Sequence, residues 1–333
     1  MTLRTPRWWY VRHAPAPVTR ALLRPLSWIW SAVTARRIAR AIPFDPGVPV
    51  ICVGGLTVGG AGKTPVAQAL LKRLAPLGAA GLSRGYGGSL PGPVKVDLSV
   101  HGASEVGDEP LMLAAEAPVW IARDRPAGAR AAVEGGAKLL VLDDGHQNPT
   151  LSKTLSLVVV DGETRRGEWP FGDGAVLPAG PMREPLALGL ARADAVVVML
   201  PGDAAAADPE LLAVFGDKPV LVARLEPSGP TPSGPLLAFA GIAKPWRFER
   251  ALAAAGAEVA DFIAFPDHAA FDEPALRALA DRAGVFGASL ITTEKDWVRL
   301  PPAWRPRVAA WPVRARFEDE AALERLLAPL SPA

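Results

Sequence analysis

The sequence predicts an α/β fold. A buried parallel sheet carries helices on both faces, a smaller C-terminal α/β unit follows it, and an amphipathic helix precedes it. Three observations predict this. The 333-residue chain contains several unbroken apolar runs, as expected of strands buried on both faces. Helical patterns such as RPAGARAAVEGG separate some of these runs, the alternation of a parallel sheet. Finally, EPSGPTPSGP (226–235) is a Pro-, Ser- and Gly-rich stretch with almost nothing apolar, the clearest linker in the chain. The expected organisation is an N-terminal segment at 1–45, a main unit at 46–225, the linker at 226–235 and a C-terminal unit at 236–333.

The N-terminal segment is basic. It holds Arg4, Arg7, Arg12, Arg20, Arg24, Arg36, Arg37 and Arg40, and the first carboxylate is Asp45. Trp8, Trp9, Tyr10, Trp28 and Trp30 lie in the same stretch. Leu22, Leu26, Ile29, Trp30 and Val33 recur at helical spacing, with Arg24, Ser27, Ser31 and Thr34 opposite and Trp28 off the stripe. A basic, Trp-bearing amphipathic helix suits an anionic membrane surface. The alternative is a helix that packs its apolar stripe on the core and leaves its arginines in solvent. No apolar run reaches the ~20 residues that span a bilayer. Pro15, Pro17 and Arg20 interrupt the stretch where a cleavable signal would need its apolar centre.

VPVICVGG (48–55) reads as the first buried strand, and KTPVAQALLKRLAPLG from Lys63 as a helix ended near Pro76 and Gly78. Further strands are expected at 117–122, 138–144, 155–162, 193–200 and 218–225. Beyond the linker, LLAFAGI and SLITT read as strands, and PWRFERALAAAG, PALRALADRAG and the chain's end as helices. The Gly- and Pro-rich loop 161–185 is too long for a plain connection, which points to a function. The net charge of +2 gives no footprint for nucleic acid. The single cysteine, Cys52, lies within an apolar run. It excludes an intramolecular disulfide and a Cys-based zinc cluster, and reads as a small buried hydrophobe.

TVGGAGKT, residues 57–64, lies between the first strand and its helix, the setting of a phosphate-binding loop. The strict pattern begins with glycine, and Thr57 stands there instead. Gly59, Gly60 and Gly62 still let the backbone N–H groups of Thr57, Val58, Gly59, Gly60, Ala61, Gly62, Lys63 and Thr64 turn toward phosphate oxygens. Lys63 would reach the β/γ-phosphates, Thr64 would hold Mg²⁺, and the helix N-terminus adds its positive end. The fold expected is therefore P-loop NTPase-like, with a nucleoside triphosphate and Mg²⁺ as its ligands; the resemblance described below implies ATP.

Such a site needs an acid at the end of a neighbouring strand. KLLVLDD (138–144) supplies Asp143 and Asp144, one of which would bind Mg²⁺ directly or through water. VGDEP (106–110) places Asp108 and Glu109 at the start of an apolar helix, where Asp108 by itself reads equally well as a cap. FPDH (265–268) is on its own an ordinary surface pair.

In order, VGGLTVGGAGKTP (53–65), LSRGYGG (82–88), VGDEPLMLA (106–114), VLDDGHQNP (141–149), LPAGPMREP (177–185), AFAGIAKPWRF (238–248), FPDH (265–268) and TTEKDWVRL (292–300) resemble the tetraacyldisaccharide 4'-kinase family, the lipid A 4'-kinases of Gram-negative bacteria. The resemblance spans nearly the whole chain from residue 48, and the family's loop likewise lacks the first glycine. It implies transfer of the ATP γ-phosphate to the 4'-hydroxyl of a tetraacylated glucosamine disaccharide 1-phosphate, giving lipid IVA, at the cytoplasmic face of the inner membrane. It implies Asp108 as base with His268 as dyad partner, Lys63 and Asp144 in the catalytic set, and Thr64, Asp143 and Glu109 at the metal. Arg84, Tyr86, Arg123, Gln147, Arg183 and Glu184 would line the substrate, Arg123 by neutralising phosphate charge. One departure is local: where the family usually reads Asp-Asp-Gly-Leu-Gln-His, this chain has Asp143-Asp144-Gly145-His146-Gln147-Asn148. The family's Gly-Asn before the loop is Gly54-Gly55 here.

The competing reading is a membrane-recruited P-loop ATPase or GTPase switch. Guanine recognition would need Asn-Lys-x-Asp, and Thr293-Glu294-Lys295-Asp296 has no residue between its Lys and Asp. A partitioning-type ATPase would carry a second lysine where Thr57 and Val58 stand. The expected partners are the lipid substrate and the anionic membrane surface, with no nucleic acid and no obligate protein partner.

Overall fold

In a computed structural model of the chain, residues 6–12 and 18–330 are described. Residues 1–5 and 13–17, including Arg4, Pro15 and Pro17 of the basic segment, lie outside them. The strands are β1 (Val50–Gly54), β2 (Ala79–Ser83), β3 (Val94–Lys95), β4 (Val119–Ile121), β5 (Leu139–Asp143), β6 (Leu155–Asp161), β7 (Ala195–Pro201), β8 (Val220–Pro227), β9 (Leu236–Ala240), β10 (Val259–Ala264), β11 (Ser289–Thr293), β12 (Val308–Trp311) and β13 (Val313–Phe317). The helices used below are α1 (Val18–Arg40), α2 (Lys63–Leu74), α3 (Ala103–Val106) and α4 (Asp108–Ala114).

Two sheets form. The larger has the order β13-β8-β7-β6-β1-β5-β2-β4-β3, and the smaller β10-β9-β11-β12. The large sheet is parallel from β8 through β4, with the edge pairs β13/β8 and β3/β4 antiparallel. The small sheet is parallel throughout. Period-two alternation splits β1 between two cores. Ile51 and Val53 pack with Val66 and Leu70 of α2, while Val50 and Cys52 pack with Leu140, Leu142 and Ala129 on the other face. Cys52 is fully buried, and burial first of all pushes its thiol up to about 11, so it is the inert small hydrophobe expected.

Three features were not anticipated. β2, Ala-Ala-Gly-Leu-Ser, is a strand despite weak β-propensity, because β5 and β4 flank it on both sides. β13 pairs with β8, and Phe317, Leu323 and Leu327 join the core beneath α2. Residues 313–330 thus return to the main unit, so the expected 236–333 unit closes earlier as a packed body. Third, α1 lies with its polar side inward. Arg20, Ser27 and Thr34 are buried, while Leu22 (73% exposed), Leu26 (52%), Ile29 (60%) and Val33 (61%) face out. Ser27 Oγ donates to Val176 O at 2.7 Å and accepts from Ala179 N at 3.1 Å. Arg20 pairs with Asp173 at 2.6 Å.

The carboxyl ends of the two sheets face each other. A Cβ on Gly60 would sit 3.5 Å from Ala243 Cβ, just past β9. Beside this contact, Asp161 at the end of β6 is gripped by Lys244 (2.9 Å) and Arg247 (2.8 Å). Ligands of open parallel sheets bind at such carboxyl ends, and the site residues cluster there.

Candidate active site

The phosphate loop follows β1. Gly62 caps α2 with φ 89°, a left-handed conformation that costs other residues roughly 1 kcal/mol or more. Thr57 needs no such freedom. It is buried and forms a bridge to Met182, while Val58 N–H donates to Pro181 O at 2.9 Å. The long loop 161–185 therefore includes a brace for the phosphate loop, and position 57 accepts a side chain because it is paired and extended. Tyr10 crosses from the N-terminus and donates its hydroxyl to Val58 O at 2.6 Å.

Asp143 ends β5 beside β1, in register with Val53, and the chain then turns sharply. A Cβ on Gly54 would stand 2.5 Å from His146 Cβ, so this position must be glycine for the turn to pass. His146 is buried, with Nε2 2.9 Å from Gly189 O. Burial above all lowers it to about 4. It is a neutral packing group that donates Nε2–H to the carbonyl.

Asp144 carries an unusual φ of 52°. It accepts two bonds from Arg183, at 2.7 and 3.0 Å, and lies 3.8 Å from Lys63 Nζ. Burial works against its charge, but Lys63 and Arg183 outweigh it and hold the carboxyl at about 2. Arg183 also donates to Thr57 O (3.1 Å) and Gln147 Oε1 (3.3 Å). Gln147 donates to Gly55 O and Glu184 Oε1, each at 2.9 Å. Glu184 is buried against Arg192 at 2.6 Å. Gln147, Arg183 and Glu184, expected at the substrate, thus form a hydrogen-bonded truss linking the phosphate loop to Asp144.

Asp143 differs from its neighbour. It is buried, and neither carboxylate oxygen has a hydrogen-bond partner among the described residues. Burial, then Glu109 and Asp144, pushes it up to about 8 against the pull of Lys63 and Lys295. A buried acid without a donor is costly unless a cation faces it, which is the environment a magnesium ligand needs. No three His, Cys, Asp or Glu side chains converge to hold a metal alone among the described residues. An ion there would complete its shell with phosphate oxygens and water.

Asp108 opens α4, and its Oδ1 accepts from Glu109 N at 2.9 Å. Its Oδ2 lies 3.1 Å from His268 Nδ1, 3.8 Å from Arg299 Nε and 3.9 Å from Lys295 Nζ. Burial opposes its charge, yet the bond from His268 and the nearby Lys295 and Arg299 hold it at about 2. His268 has φ 57°. Among the described residues Asp144 and His268 are the non-glycine positive-φ residues, and both sit here, where strain commonly accompanies function. The Tyr86 ring meets the His268 ring edge-on at 5.8 Å.

The pair Asp108 and His268, ordinary when read singly, is therefore assembled across the two sheets. Arg84 and Arg123 follow β2 and β4 on the exposed rim, with Arg123 reaching Ser89 O at 3.4 Å. Lys295 and Arg299 were missed as site residues. Both lie in the segment TTEKDWVRL (292–300), whose sequence alone does not show that its cations reach Asp108. Thr293 and Asp296 instead cap their own helix, and Asp296 binds Gly241 N at 3.0 Å, which leaves no nucleobase-reading loop there.

The profile of the family described as tetraacyldisaccharide-1-P 4'-kinase matches residues 19–331. The chain is 67% identical to the tetraacyldisaccharide 4'-kinase of Phenylobacterium zucineum, over 98% of this chain and 99% of that one. It is also 67% identical to that of Caulobacter vibrioides strain NA1000, over 98% of each. Among solved structures it is similar to the crystal structure of "apo" form LpxK from Aquifex aeolicus in complex with ATP. That match has a TM-score of 0.70 at 26% identity, over 94% of this chain and 100% of that one.

Proposed function

The chain belongs to the tetraacyldisaccharide-1-P 4'-kinase family, and from that membership we propose how its residues carry out the transfer. The enzyme moves the γ-phosphate of ATP to the 4'-hydroxyl of a tetraacyldisaccharide 1-phosphate. The observation that carries the residue assignment is the position of Asp143. Its carboxylate, unpartnered among the described residues, belongs to the same cluster of charges as Lys63 and Asp144 on the phosphate-loop side and Glu109 and Lys295 on the dyad side.

Phosphoryl transfer needs positioning and charge neutralisation more than covalent help. Lys63 and the amides of 57–64 bind the phosphates, and the truss through Arg183 and Gln147 keeps that loop in place. Thr64, Asp143 and Glu109 would hold Mg²⁺, which when bound spreads the charge of the phosphate oxygens. Asp108, kept ionised and oriented by His268, accepts the proton of the sugar hydroxyl. A weak base suffices because the transition state is loose. Arg84, Tyr86 and Arg123 frame the entrance at the rim and meet the head group and its 1-phosphate.

The outward apolar face of α1 supports a peripheral seat on a membrane. No helix of the described residues is long and apolar enough to cross one. Leu22, Leu26, Ile29 and Val33 enter the interface, and the exposed Arg24, Arg36, Arg37 and Arg40 of α1 meet anionic head groups. That seat belongs on the cytoplasmic face of the inner membrane, where ATP is available. The test is mass spectrometry of the disaccharide product after incubation with ATP. One added phosphate on the sugar opposite the 1-phosphate is expected. ATP hydrolysis with unmodified lipid would instead favour a switch-type ATPase.

A further inference from the structure

We propose that Lys295 is a positioning residue that fixes His268 as its Nδ1–H tautomer and so keeps the ring bonded to Asp108. Lys295 lies on the short helix Glu294–Trp297 that follows β11, and its backbone is firmly seated. Thr293 Oγ1 accepts from Asp296 N at 3.0 Å, and Asp296 is tied to Gly241 N at 3.0 Å and to Arg299. From this base the side chain crosses to the other sheet. Its Nζ stands 3.4 Å from Glu109 Oε1, 3.5 Å from His268 Nε2 and 3.9 Å from Asp108 Oδ2.

The chemistry of these neighbours decides where the imidazole proton sits. An ammonium can only donate, and an ionised carboxylate can only accept. Nδ1 faces the Asp108 carboxylate at 3.1 Å, so it carries the proton. Nε2 faces the Lys295 ammonium at 3.5 Å, so it presents its lone pair. The tautomer of a ring nitrogen follows the bond that its fellow makes. The remaining charges near the ring do not reverse this order. Asp267 Oδ1 is 3.9 Å from Nε2, farther than Lys295. Arg299 is directed at Asp296 and Gly241 O, and Glu109 engages Lys295 rather than the ring.

Asp267 nonetheless defines what happens without the lysine. Its Oδ1 is buried and has no hydrogen-bond partner among the described residues, so with Lys295 gone Nε2 faces an acceptor. The ring stays neutral: Nδ1 releases its proton to solvent as Nε2 takes one up, the ring is drawn toward Asp267, and the bond to Asp108 loosens. Asp108 would keep its place at the head of α4 but lose the group that orients it. The consequence for turnover rests on the reading of Asp108 and His268 as the proton-accepting dyad. The tautomer itself does not.

The test is nitrogen NMR of uniformly labelled full-length protein at about pH 8, where an ordinary imidazole is neutral, with His268→Ala to assign the ring. The wild type is expected to show Nδ1 protonated and Nε2 bare. Lys295→Met is expected to show Nε2 protonated. Its kcat should fall about tenfold or more while KM for ATP stays within about threefold, the pattern of a lost transition-state contribution. Lys295→Arg, which retains a donor, should keep the wild-type tautomer and recover most of the rate. A wild-type spectrum with Nε2 protonated overturns the proposal even if Lys295→Met does not fold, and so does an unchanged tautomer in Lys295→Met. If the tautomer moves as expected while kcat is unaffected in His268→Ala, the dyad reading fails and the tautomer assignment stands.

Discussion

His268 Nδ1 lies 3.1 Å from Asp108 Oδ2, which joins a loop of the small sheet to the first residue of α4 in the large one. The two side chains are 160 positions apart in sequence, so their bond exists only when the two units are apposed. His268→Ala is expected to lower kcat by about 10²-fold, at the low end of general-base effects, with little change in the dissociation constant for ATP. Steady-state kinetics beside nucleotide titration calorimetry checks this, and an unchanged kcat would remove the pair from the mechanism.

Arg183 bonds both oxygens of Asp144 and also the backbone of Thr57. Arg183→Lys keeps the charge but loses the paired geometry, which lysine does not replace. Affinity for ATP is expected to drop about tenfold, in line with the loss of a charge-assisted bond. Equal affinity in the variant would mean that the phosphate loop does not depend on this brace.

Asp143 gives a signed dependence on pH in the nucleotide-free protein. Its carboxyl titrates near 8 when folded and at 3.8 ordinarily, chiefly through burial. Between those values the folded state binds the extra proton, so the contribution of this group to stability falls as pH rises from about 4 to about 8. Asp143→Asn lacks that slope and is expected to gain on the wild type steadily across the window. His146, lowered to about 4 by burial, acts with the opposite sign below 6.5 and cancels in the comparison. Urea melts at several pH values test this, and parallel curves would contradict it. Adding Mg²⁺ and ATP should flatten the wild-type slope, while Asp143→Asn loses turnover.

The outward face of α1 can be altered without touching its packing. Leu22, Leu26, Ile29 and Val33 are exposed, whereas Ser27 and Arg20 make the inward bonds. Replacing Leu22, Ile29 and Val33 with Ser should reduce co-sedimentation with anionic vesicles about tenfold or more, given roughly 1.5–3 kcal/mol for each fully buried apolar side chain. ATP binding should stay intact. Unchanged sedimentation would refute the membrane seat.

Local patterns made much of this molecule readable. The Val-Ile-Cys-Val strand, the glycines at 59, 60 and 62, and the acids ending β5 are short-range signals that physics places together. The features that could not be read depend on distant partners. Ala79–Ser83 is a strand because of its neighbours, not its own residues. The inward side of α1 is set by the bonds of Ser27 and Arg20 to residues near 175, and the helical pattern alone does not say which side meets protein. Arg183 and Gln147 stand out in the sequence only as expected substrate residues, and their engagement with Asp144 and Gly55 requires the loop fold. Lys295 meets Glu109 across 186 positions, a contact that no sequence period encodes.

The most direct test of the account is transfer of radiolabelled γ-phosphate from ATP to tetraacyldisaccharide 1-phosphate in detergent micelles, comparing the wild type with Asp108→Ala at saturating ATP. The account predicts label on the lipid at the 4'-position, lost by about 10²-fold or more in the variant while ATP still binds. Equal labelling by the variant, or label released only as inorganic phosphate by both, would contradict it.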